Sequence, residues 1–357
     1  MKRFVAVVAA CIIAAAFLCF PCGALFDPDE LYGALPDDAA DILTGHGVTP
    51  EGGAEKVGAS DILGEIVNAL KDSAVKPLRM FGALFAVTLL SVVLTNFGGV
   101  QVYRLVTASA AAVTVSVYLG SVVETAQTAL HAAADFMLTY IPVAAGVTAA
   151  GGHTASAAVY SSVTVGAIQL LAWLIPTAVI PLTSCILGIS AASCIGGVAD
   201  LDKLGEGIKK AVTWGLGLIM TLFLGILSVQ TVITASADNA AMKALKFTIS
   251  NSVPIVGGAV SDALTTVKGS IAVLKSGVGS FGIAAGACVL IPPLLMTLCY
   301  RFFLFAAGVV GDLFGCEETG KMIKAGSSVM SIINAALCCF LLFIVVSSAI
   351  LMMFCRS

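Results

Sequence analysis

Charge is scarce in this sequence. Of 357 residues only 11% are Asp, Glu, Lys or Arg, 59% are hydrophobic, and the mean hydropathy is +1.04. A soluble domain is about half apolar and about a quarter charged. No soluble fold of this length hides so much apolar surface, so the chain is a polytopic membrane protein. The net charge of −3 carries nothing that would attract nucleic acid. Histidine is nearly missing: His46, His131 and His153 stand isolated, with no H-E-x-x-H. There is no G-x-S-x-G, so hydrolytic chemistry has no visible kit. Of eleven cysteines only Cys19 and Cys22 form a C-x-x-C, and both lie in the N-terminal apolar region. The rest scatter through apolar segments, apart from Cys316, and read as small core residues rather than a disulfide framework or zinc site. No cofactor, metal or catalytic motif emerges.

What is present begins with a signal peptide over residues 1–24. Lys2 and Arg3 precede an apolar run over 4–20, Pro21 breaks it, and Cys22-Gly23-Ala24 offers small residues at the cleavage position. An uncleaved anchor is the alternative. Residues 25–77 form an acidic extracytoplasmic segment, expected to be flexible up to Lys56. Within it Ile62, Ile66 and Leu70 recur every four residues and predict an amphipathic helix over 61–71.

Residues 78–357 form the membrane domain. A bilayer core takes about 20 apolar residues. By that measure candidate spans lie at 80–97, 105–123, 136–150, 156–175, 176–195, 211–233, 281–300 and 329–354, with a short run at 302–314 that reads as half of a broken helix. The expected fold is all-α, with about seven or eight spans, broken or re-entrant helices, and an extracytoplasmic segment at 234–280. Arg104 and the lysines Lys203, Lys209 and Lys210 of the 196–210 loop then fall on the cytoplasmic side, in agreement with cleavage at Ala24.

Two tempting motifs fail on context. Gly315 to Lys321 has phosphate-loop spacing, but Met322 stands where a Ser or Thr should follow and an apolar helix precedes it. Its charges read as a polar helix turn with pairs such as Glu317–Lys321. Gly277-Val-Gly279-Ser-Phe-Gly282 lacks the βαβ unit a dinucleotide needs and reads as a flexible junction. Gly282 and Gly286 are spaced for close helix packing, including contact with an assembly partner. Gln169, Gln230, Asp238 and Asp312 are the polar exceptions in apolar surroundings. For the two glutamines an interhelical hydrogen bond is the expected role.

One stretch stands out. Pro254 and Gly257-Gly258 mark a break; beyond it Val260, Leu264, Val267, Ile271 and Leu274 form an apolar stripe. Asp262, Thr265, Thr266 and Gly269 lie opposite. Lys268 and Lys275 sit at the stripe's edge, where their amines can snorkel to headgroups. The stretch reads as an amphipathic helix at the membrane surface that lines or gates a passage, or as an ordinary surface helix packed on the bundle.

The order of Gln230, Ser236-Ala-Asp238, Lys243, Lys246-Phe247, Pro254-Ile-Val-Gly-Gly258, Ser261-Asp262 and Leu274-Lys275-Ser-Gly277-Val-Gly279 resembles the stage III sporulation protein AE family. The resemblance runs from about Asp61 to the end. It implies a non-enzymatic, multi-pass component of the mother-cell membrane around the forespore. Such a component works in a channel resembling secretion systems and supports late forespore gene expression. The implied partners are the other membrane proteins of the stage III A operon and a separate ATPase subunit; a homo-oligomer stays open. A stand-alone secondary transporter or permease is the alternative, and an intramembrane enzyme using Asp238 and Asp312 is a distant third.

The orientation is testable. Single cysteines at Leu204 and Gly47 should react with an impermeant thiol reagent from opposite faces of the membrane. Labelling from one face would overturn the assignment.

Overall fold

A computed structural model of the chain describes residues 28–50, 59–95, 100–196, 201–252 and 257–353. The signal peptide and its cleavage site lie outside the described residues. Those residues form nine α-helices and one π-turn, without a strand: α1 Pro28–Gly33, α2 Asp37–Gly45, α3 Ala59–Thr95, α4 Val100–Ala150, α5 Thr154–Leu174, the π-turn Ile175–Val179, α6 Ile180–Gly196, α7 Leu201–Ser252, α8 Gly257–Leu313 and α9 Glu317–Met353. An apolar chain in lipid must satisfy its backbone within each segment, and helix does that residue by residue.

Six stretches among the described residues are long and apolar enough to cross a membrane, fewer than the seven or eight expected: Ala74–Leu94, Leu105–Ala150, Thr154–Cys194, Lys203–Ala241, Gly269–Leu313 and Thr319–Met353. The difference comes from breaks that do not break. Residues 105–123 and 136–150 belong to one helix that runs through the polar residues between them and through Pro142. The short run 302–314 is the end of α8, which passes through Pro292-Pro293 and Arg301 without interruption. The junction expected at 277–282 is also continuous helix. Pro176 makes a π-turn, not a loop, so α5 and α6 form one near-continuous rod. Proline lacks the donor an α-turn requires, and one wider turn absorbs the defect. The helix read at 61–71 is the first part of α3.

α9 is the central helix. Met322, Val329, Met330, Ile333, Leu337, Phe340 and Ile344 are buried among the other helices. Its longest contact is with α8, where three glycines replace side chains. A Cβ on Gly286 would stand 2.5 Å from Ile344 Cγ2, one on Gly282 would stand 2.7 Å from Ser348 Oγ, and one on Gly279 would strike Met352. Without a hydrophobic drive between helices in lipid, such close van der Waals fit holds the pair together.

The acidic segment departs from the flexibility expected of it. Leu31, Leu35, Ala39, Leu43 and Val48 are buried in the main apolar core. The Tyr32 ring packs edge-on against Phe281 of α8 with centroids 5.4 Å apart, and its hydroxyl donates to the Val48 carbonyl at 2.5 Å. Burial raises the Tyr32 phenol above its ordinary pKa. Among the described residues Glu30, Asp37, Asp38 and Asp41 point outward while every fourth or so residue points in, so average composition hid a short docked helix pair.

Replacing Leu43, which is 2% exposed, by Asp puts a carboxylate into that apolar contact at a cost of several kcal/mol. Limited proteolysis should then cut within 28–50 while the long helices stay protected. An unchanged digestion pattern would refute the docking.

Candidate functional site: a clamped turn and a glycine seam

The turn Gly151–His153 joins α4 to α5. α4 ends in a hydrogen-bonded cap: the Gly152 amide donates to the Ala149 carbonyl at 2.9 Å and the His153 amide to the Thr148 carbonyl at 3.3 Å. This cap needs a left-handed residue, and Gly152 supplies it at φ 86°. The same cap recurs at the α8–α9 turn, where Gly315 has φ 68° and Cys316 donates to the Gly311 carbonyl. That is the local role of the glycine that opens the phosphate-loop-like string.

Two buried charges grip the first of these turns. Asp238, on α7 and 2% exposed, accepts hydrogen bonds from the Ala155 and Ser156 amides, each at 3.0 Å. These are orphan donors at the start of α5, where the helix dipole also favours a negative charge. His153 Nδ1 lies 3.8 Å from the same carboxylate. Lys275, on α8 and 2% exposed, brings its ammonium over Gly151: a Cβ there would meet Nζ at 2.7 Å and Cε at 2.9 Å. A cation thus sits at the C-terminal end of α4 and an anion at the N-terminal end of α5, each complementing the dipole it faces.

Several sequence expectations are corrected by this placement. Lys275 does not snorkel; its side chain is 2% exposed, and Ile271 and Leu274 beside it pack against the apolar core. Asp238 and Asp312 cannot form a catalytic pair. Asp238 is at the Lys275 level, while Asp312 lies 37 residues further along α8, a separation of about 55 Å. Asp312 is exposed and ion-paired with Lys324 at 3.3 Å across the α8–α9 turn. Gln169 is exposed on the outer face of α5 and makes no hydrogen bond to another helix. Gln230 is half-buried, with its Oε1 enclosed and unpaired in the protein. Gly282 and Gly286 lie in close helix contacts within this chain, Gly286 against α9 and Gly282 against both α9 and Tyr140 of α4.

Pro254 lies outside the described residues, between the end of α7 and the start of α8. Gly257 and Gly258 open α8, and Asp262, Thr265, Thr266 and Lys268 follow within it; their side chains lie outside the described residues. Sequence reasoning missed Glu124, His131 and Asp135. It took 124–135 for a connection, and the structure puts all three in the middle of α4. Their signal was visible as a seven- and four-residue spacing, which is helical.

Among the described residues, six stretches are long and apolar enough to cross a membrane, and the buried Asp238 and Lys275 lie at helix ends. The chain belongs to the stage III sporulation protein AE family, whose profile matches residues 49–355. It is 28% identical over 188 residues to "Stage III sporulation protein AE" of Bacillus subtilis (strain 168), a match covering 52% of this chain and 47% of that relative. The aligned part therefore spans about half of the relative's length. No solved structure matches the chain.

Removing either buried charge should destabilise the fold. Asp238→Asn weakens two charge-assisted bonds and should cost about 1–3 kcal/mol, read as a lower melting temperature. Lys275→Met should do likewise, and the double variant should lose less than the sum of the two. Strict additivity would mean that the two charges act independently.

Proposed function

We propose that this chain is a non-enzymatic, multi-pass component of a channel between mother cell and forespore, residing in the mother-cell membrane and supporting late forespore gene expression. Family membership carries the sporulation part of this reading. The observation that supports an assembled component is the length of exposed apolar surface. On α8 Val273 is 69% exposed and Leu313 is 78% exposed. Forty residues separate them, about 60 Å along a helix, against about 30 Å of bilayer hydrocarbon. One bilayer does not cover both ends. Surplus apolar surface on this scale calls for protein neighbours: the other membrane proteins of the operon, with an ATPase as a separate subunit, or further copies of the same chain.

The stand-alone transporter or permease is the weaker reading. Transporters place substrate at interrupted helices, and α8 continues through the position where a half-helix was expected. Within the assembly, the stretch 251–279 is the proposed passage wall. In the sequence, Pro254 and Gly257-Gly258 mark its break, and Asp262, Thr265, Thr266 and Lys268 are its polar residues.

Two substitutions test the wall. Thr265→Trp adds bulk to the polar face only, and sporulation should fail at normal protein level. Leu264→Asp should instead lower the protein level. A harmless Thr265→Trp removes the passage role from this stretch. For the assembly itself, co-purification should recover other operon proteins with the full chain; substrate flux by the purified chain alone in liposomes would favour the transporter.

A further inference from the structure

Between α4 and α6 lies a groove of about 510 Å³ lined by Ser116, Gly120, Glu124, Gln127, Thr183 and Ser184 among others. Glu124 leads from it along α4 to His131 and Asp135, at spacings of seven and four residues. At 100° per residue the three fall within about 40° of one another, on one face. All three are exposed.

This face is not built for lipid. Large apolar side chains are exposed on α4 at Val113, Val117 and Leu138, but at none of the positions between Val117 and Leu138. That gap is about 30 Å long. An ionised side chain facing hydrocarbon costs several kcal/mol, and such residues in spans face water or protein.

The chemistry of the lining selects the sign of charge. On α4, beside the groove and not in its lining, the hydroxyls of Ser121, Thr125 and Thr128 each donate to a carbonyl of their own helix, at 2.9, 2.9 and 3.1 Å. Across the groove, Thr183 donates to the Ile180 carbonyl at 2.6 Å. With their protons committed inward, the exposed oxygens of Ser121, Thr125 and Thr128 present lone pairs outward, while Thr183 is buried. Two carboxylates add negative charge. The Gln127 amide of the lining can donate as well as accept, so the carboxylates set the sign and the face attracts positive charge. The π-turn, with Ile175 and Pro176, abuts Gln127 and His131 at the upper end of the groove, and such turns cluster at functional sites.

We propose that the groove and the Glu124–His131–Asp135 stripe form a hydrated surface that binds and guides small cations. It stands apart from the assembly reading, because it is tested on the isolated chain. Gly120→Cys places a thiol in the groove, where a Cβ meets nothing within 4 Å. The full-length protein, in nanodiscs of uncharged phosphatidylcholine, is treated with a cationic or an anionic methanethiosulfonate reagent. Labelling is read at position 120 by peptide mass spectrometry, with each rate normalised to a free thiol. The cationic reagent should react about tenfold faster. The preference should collapse when Glu124→Gln and Asp135→Asn are added. Raising the salt should shrink it without those substitutions, so the result does not depend on the neutralised variant folding. Failure of both reagents would mean that lipid or protein covers the face, and the proposal falls. Equal rates, or a preference that survives neutralisation and salt, overturn it too.

Discussion

The arrangement of the bundle depends on two buried charges gripping one turn. Helices in lipid gain nothing from hydrophobicity by packing on one another, so their register must come from shape and from polar contacts. Asp238 brings α7 to the first turn of α5, and Lys275 brings α8 to the last turn of α4. Four helices meet there through groups that bind only at a helix end. Sliding any of them by one turn would separate a buried carboxylate from its amides or press a buried ammonium into a neighbour. The glycines at Gly151 and Gly152 make this possible, the first by leaving room for the lysine and the second by its left-handed backbone.

From that anchored end the rest is set by fit. Gly279, Gly282 and Gly286 let α8 lie close on α9, and Tyr140 of α4 reaches into the same seam to donate to the Val278 carbonyl at 3.2 Å. Tyr160 of α5 joins from the other side through its hydroxyl contact with Ser347 at 2.8 Å. The helix pair from the acidic segment then covers the α8 surface beside Phe281. The two buried charges, the glycines from Gly279 to Gly286 and the docked helix pair therefore lie around one end of the bundle. At the other end the contacts are ordinary apolar packing, an exposed Asp312–Lys324 pair and a hydroxyl contact between Ser91 and Thr107.

The outer surface divides in two. Most of it is apolar over a length that exceeds one bilayer, the observation on which the proposed assembly rests. One strip of α4, with the groove beside it, is polar and acceptor-rich. A surface of this kind suits a protein that stands in an assembly and leaves a hydrated face between its members.

The sequence by itself determined the class. Low charge and long apolar runs leave helical membrane protein as the one physical solution, and the ordered string from Gln230 to Gly279 pointed to the family. It also marked the residues with the most to explain: Asp238, Lys275, Gly282 and Gly286. It did not determine what those residues touch. A helix pattern reports which face is apolar, not whether lipid or a neighbouring helix covers it, so Lys275 read as a snorkelling residue and the two glycines as a contact for another chain. Proline and a few charges look like breaks along the chain. Only tertiary packing decides whether a helix runs through them, because neighbouring helices can enclose the defect. For the same reason Glu124, His131 and Asp135 read as a connection until the structure placed them inside one continuous helix.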